Sequence, residues 1–165
     1  MVLPEAMIAH LRSGGVSRVV YGSILGLALI VALQLHPPAA GTVIASLVAT
    51  AVAVALAELY SDLIGARTRS GLGADTDGFR TIAGDAGAVA FGISFPAVFF
   101  VLSLLGAFDV DTAFNIAKWS GLALIATYGF VAGRLGGGTI PRALLEAFGV
   151  TLIGAGLIAV KALLH

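Results

Sequence analysis

Residues 42–64 read TVIASLVATAVAVALAELYSDLI, and this stretch decides the fold. Its first charge is Glu58, so sixteen uncharged residues, 42–57, come before it. As an α-helix a stretch of this length rises roughly 34 Å, enough to cross a hydrocarbon layer of about 30 Å. Its apolar residues run continuously and show no alternation of polar and apolar positions. That pattern belongs to a helix in lipid rather than to a strand of a membrane barrel.

Working outward, the whole chain repeats the message. Of 165 residues, 59% are hydrophobic and 11% charged, and the mean hydropathy is +1.05. Ordinary soluble domains carry about 25% charged residues. A water-soluble globule of this size has too little interior to hide so much apolar surface, so the lipid bilayer is the expected solvent and partner. In lipid only helices and closed barrels satisfy their own backbone hydrogen bonds. The net charge is zero, which gives no electrostatic footprint for nucleic acid. Cysteine is absent, removing disulfides, thiolate metal sites and cysteine nucleophiles.

Five apolar segments are expected to span the membrane: 16–35, 42–64, 85–107, 112–133 and 143–163. The chain is then an all-α polytopic membrane protein forming a single membrane domain over 1–165. The prolines of His36-Pro37-Pro38 end the first segment, and Pro141 is placed to start the last. Pro96 should kink the third. Residues 65–84 form the longest polar connection and read as a cytoplasmic loop. Residues 1–15 are retained; Leu3, Met7 and Leu11 share one face if they form an interfacial helix, and a frayed terminus is the other reading.

Basic residues set the orientation, because Lys and Arg accumulate on the cytoplasmic side. Arg12, Arg18, Arg67, Arg69, Arg80, Arg134 and Arg142 lie on the N-terminal side of a five-span arrangement, and only Lys118 and Lys161 on the other. The N-terminus is therefore expected in the cytoplasm and the C-terminus across the membrane. The plasma (inner) membrane is the expected location.

The chemistry concentrates at the end of the opening stretch. Glu58 and Asp62 are four residues apart and project from one helical face, with Ser61 beside them. An acid at mid-membrane costs about 2.5 to 3.5 kcal/mol, and two like charges at this spacing repel. A cation, a proton, a basic side chain or a water-filled cleft must offset that cost. Hard carboxylate oxygens suit divalent ions such as Fe²⁺ or Mn²⁺. The plainer reading has Asp62 reaching interfacial water and Glu58 paired with a basic side chain or a helix terminus. Asp75, Asp77 and Asp85 in the following connection are candidates for the cytoplasmic mouth of a cation path, or else a solvated turn.

Lesser features have structural explanations. Gly22 with Gly26, Ala88 with Gly92, and Gly129 with Gly133 make four-residue small pairs for helix packing inside the chain or across a dimer seam. Trp119 and Tyr128 suit interfacial anchoring, Lys118 snorkels, and Asn115 bridges helices. His10, His36 and His165 are too scattered for a metal triad. No phosphate loop, nucleophile elbow or HExxH pattern occurs, so nothing supports an enzyme.

Ala57-Glu58-Leu59-Tyr60-Ser61 resembles the small-Glu-aromatic-Ser element of the vacuolar iron transporter family. The stretch from Gly133-Arg134-Leu135-Gly136-Gly137 through Arg142-Ala143-Leu144-Leu145 to Gly154-Ala155-Gly156-Leu157 is similar to that family's last loop and final helix. The resemblance implies five spans, a cytoplasmic N-terminus, and a homodimer exchanging Fe²⁺ or Mn²⁺ for protons. Glu58 would line the ion path, with metal as cargo rather than a permanently bound cofactor. Two features depart from the family. Its first helix carries an aspartate-glycine element where this chain has Tyr21-Gly22-Ser23-Ile24-Leu25-Gly26, and its eukaryotic members have a long glutamate-rich domain where this chain has 65–84. The alternatives are a non-transporting membrane subunit or scaffold, and a small proton or ion channel.

Overall fold

The computed structural model describes residues 15–70 and 76–163. Residues 1–14 of the expected interfacial helix, and Asp75, lie outside the described residues. Six helices follow in order: α1 (Val16–Leu33), α2 (Ala40–Ser70), α3 (Thr76–Ser94), α4 (Ala97–Leu104), α5 (Val110–Leu135) and α6 (Ile140–Leu163). Among the described residues there is no strand.

α1, α2 and α5 are each long and apolar enough to cross a membrane. α3 and α4 together make a fourth candidate, bent by 47°. The bend falls at Phe95-Pro96, where proline removes a backbone donor and its ring opposes continuation of the helix. The count is thus three, or four with the bent pair, against the five expected. α3 enters with Asp77, Arg80 and Asp85 along it, and its apolar part is split by the break. α6 carries Arg142 and Glu146 in its first two turns.

The expected loop at 65–84 is instead helical on both sides. α2 continues to Ser70 and α3 starts at Thr76. Loss of hydropathy after Ile64 marks where apolar solvent ends, whereas the backbone has no reason to stop there: Ala66 and Arg67 are good helix formers. Thr68 Oγ1 also donates to the Ile64 carbonyl at 2.9 Å within the same helix.

α1 is the central element, packed on α3, α5 and α6. Its crossing with α3 is backbone against backbone. Gly22 and Gly26 face the carbonyls of Val89 and Ile93, and a Cβ on Gly92 would meet the Ser23 nitrogen and the Val19 oxygen, each at 2.6 Å. Only glycine allows that approach. α5 and α6 cross in the same manner, with Gly129 on Ala147 and Gly133 on Ala143.

At the far end from the carboxylates, Phe100 and Phe114 are fully buried and meet edge to face, 4.8 Å between centroids. They join Ile30, Val43 and Leu47 in a core that ties α1, α2, α4 and α5 together. Asp109 caps α5, accepting from the Thr112 amide at 2.7 Å.

Candidate functional site: a carboxylate pair bridged by Arg18

α1 and α2 both lean on α3 and scarcely touch each other. The small residues Ala53 and Ala57 keep α2 thin where it passes α1, leaving a groove of about 440 Å³ lined by Tyr21, Ala53, Val54, Ala57, Glu58 and Ser61. The groove therefore holds one carboxylate, a phenol and a hydroxyl in otherwise apolar walls.

Glu58 also belongs to an ion-pair triad beside the groove. Glu58 and Asp62 stand one helical turn apart on α2, and both reach toward Arg18 in the first turn of α1. Arg18 Nη1 donates to Glu58 Oε2, and Nη2 donates to Asp62 Oδ2 at 3.1 Å. The planar fork of a guanidinium matches this geometry because its two terminal nitrogens address two acceptors at once. The side chains of Arg18, Glu58 and Asp62 retain 28%, 22% and 32% exposure, so the triad is wetted rather than sealed. Asp85 of α3 acts on the same guanidinium through its charge.

Sequence reasoning places Glu58, Asp62 and Ser61 together, and the fold keeps them so. It assigns Arg18 only to the cytoplasmic side, with no partner. Asp77 and Asp85 do not form a loop cluster; both lie on α3, eight residues and about 12 Å of helix apart. Asp77 sits exposed in the first turn, where a negative charge suits the helix dipole, and Asp85 lies within electrostatic range of Arg18. Gly22, Gly26, Gly129 and Gly133 are all buried against helices of the same chain.

Glu146 escapes sequence reasoning altogether. It accepts from Arg142 Nε at 3.3 Å, and it lines a groove of about 410 Å³ with Ser17, Val20, Gly129, Ala132 and Gly149. An acid four residues after an arginine at a helix start reads as a surface pair, which hides the groove beside it. A third groove, about 460 Å³ between α2 and α3, is lined by small and aliphatic residues and by Ser94, whose Oγ already donates to Phe91.

Among the described residues no three His, Asp or Glu side chains converge as a metal-binding group. What the triad offers chemically is a pair of carboxylates holding one guanidinium, with the second oxygens of Glu58 and Asp62 left to water, a proton or a cation. Comparison with family models, with curated proteins and with solved structures returned no match to this chain.

Proposed function

We propose that the chain is a five-span membrane protein that moves cations, with Glu58 as the group that exchanges them along the groove between α1 and α2. One observation carries this reading: Glu58 and Asp62 share a single guanidinium, which leaves one negative charge unmatched beside an open groove. Excess charge in an apolar helix costs energy unless water, a proton or a cation compensates it. A proton or a metal ion at Glu58 supplies that compensation, and exchange of one for the other is transport. Fe²⁺ and Mn²⁺ are the cargo suggested by the likeness to vacuolar iron transporters, and a homodimer would close the groove on its open side.

The test is Mn²⁺ uptake into proteoliposomes. Uptake should fall to background in Glu58→Gln and decline partway in Asp62→Asn. Equal uptake by Glu58→Gln and the parent removes the site from the reading.

A second reading has its own observation. Arg18 bonds both carboxylates, as a purely structural staple between α1 and α2 would. A non-transporting subunit built this way purifies with a stoichiometric partner and shows no uptake. A channel using the same groove differs again by passing current without metal exchange.

A further inference from the structure

We propose that the groove between α2 and α3 is a binding site for an anionic phospholipid, its acyl chain lying in the groove and its phosphate held at the mouth by Arg67 and Arg80. The site is separate from the Glu58 groove and independent of what that groove does. Residues two apart on a helix point about 200° apart, so Ala55 of the one groove and Ala57 of the other stand on opposite sides of α2.

The walls suit a hydrocarbon chain rather than a polar ligand. Val52, Ala55 and Leu59 of α2 and Ala83, Gly87 and Ala90 of α3 line a volume of about 460 Å³, and the Ser94 hydroxyl beside them already donates to the Phe91 carbonyl. Nothing stands within 4 Å of where a Cβ on Gly87 would lie, so the chain itself leaves this space unfilled. Val52 and Leu56, which line the groove, are more than half exposed, and it therefore opens sideways to the lipid.

Its length matches one leaflet. From Val48 to Leu59 the groove follows roughly 16 Å of helix, about half of a hydrocarbon layer of about 30 Å. At the far end α3 breaks at Phe95-Pro96, and α4 turns by 47° and packs on α2. A flexible acyl chain can stop there, whereas a membrane-spanning helix from a second copy needs a groove that runs the whole thickness.

The mouth carries the complementary charge. Arg80 lies one turn outside Ala83 on α3, and Arg67 two turns outside Leu59 on α2. Both are exposed, and neither forms an ion pair with a described residue, Asp77 and Asp85 included. Guanidinium N–H groups match phosphate oxygens, while the arginine stems can lie along apolar surface. A second copy related by two-fold symmetry would bring its own Arg67 and Arg80 to the same mouth and set like charges together. A phosphodiester brings the opposite sign.

The experiment is native mass spectrometry of the purified chain in neutral detergent, titrated with palmitoyl-oleoyl phosphatidylglycerol or with phosphatidylcholine of the same chains. Every variant is first checked for a single elution peak. Wild type should bind one phosphatidylglycerol at least about tenfold more tightly than phosphatidylcholine. Arg67→Gln with Arg80→Gln should lose that preference, and Arg134→Gln with Arg142→Gln, which removes the same charge elsewhere, should keep it. Gly87→Leu fills the groove and should weaken both lipids about tenfold or more; Ala55→Leu fills it from α2 if the first variant does not fold. Equal binding of the two lipids by wild type overturns the proposal, as does equal loss of preference in both arginine pairs. Unchanged lipid binding in the groove-filling variant overturns it too. Displacement of the lipid by an equimolar amount of soluble glycerol phosphate would show a headgroup site without a chain, and a dimer broken by Gly87→Leu would put a second copy in the groove; either outcome overturns the proposal. Uptake assays on Glu58→Gln bear on the other side of α2 and leave this result standing or falling by itself.

Discussion

A Cβ built on Gly92 of α3 stands 2.6 Å from the carbonyl oxygen of Val19 on α1. No real side chain tolerates that distance, so the crossing of these two helices depends on the absence of one atom. Gly92→Ala gains helix propensity yet forces the helices apart. It should destabilise the protein by about 1 to 3 kcal/mol. Gly87, five residues earlier on the same helix, faces open space, with nothing within 4 Å of where a Cβ would stand, and Gly87→Ala should be neutral or slightly stabilising. Reversible unfolding in mixed micelles distinguishes the two; equal effects would show that the crossing is looser than its geometry.

Arg18 and Glu58 should be energetically coupled. Their side chains are partly exposed, so the coupling falls between a surface pair and a buried one, about 1 to 2 kcal/mol. A double-mutant cycle of Arg18→Ala and Glu58→Ala measures it. A value near zero would mean that the bridge contributes nothing to holding α1 against α2.

The bend at Pro96 should respond to restoring its backbone donor. In Pro96→Ala the 47° angle between α3 and α4 should shrink to about 20° or less, the range of an unkinked helix. Distances between spin labels on Phe79 and Leu102 would lengthen accordingly. An unchanged distance would assign the bend to the packing of Phe100 on Phe114 instead.

Asp109 gives a pH signature. The Thr112 amide bonds its carboxylate and holds its pKa below the usual range. A carboxyl with a depressed folded-state pKa binds protons more readily when unfolded, so its contribution is complete above the ordinary carboxylate range and fades as pH falls through its lowered value. Melting temperature should drop over that acid window in wild type, and the part due to the cap should vanish in Asp109→Asn, which caps without titrating. Identical acid profiles for both proteins would remove Asp109 as the source.

The apolar runs and the proline break are legible in the sequence because hydropathy and a missing donor act locally. The carboxylate pair is legible for the same reason, being one turn of one helix. The end of α2 is not: hydropathy reports the solvent around a helix, and α2 outlasts its apolar part by several residues. Arg18 is also hidden, since forty residues separate it from Glu58 and only the crossings on α3 bring them together. Counted as one more cytoplasmic arginine, it passes for a topology marker although its side chain bridges two carboxylates. The glycine pairs announce close contacts but not partners; those are Val89, Ile93, Ala143 and Ala147.

α2 is 31 residues long, so it extends about 46 Å, some 16 Å more than a hydrocarbon layer of about 30 Å. Its surplus lies toward the carboxylate end, continuous with the turn that bears Asp62. Because the helix runs unbroken from Asp62 to Ser70, the ion-paired turn has no hinge of its own, and any shift of its backbone is shared by the residues that follow.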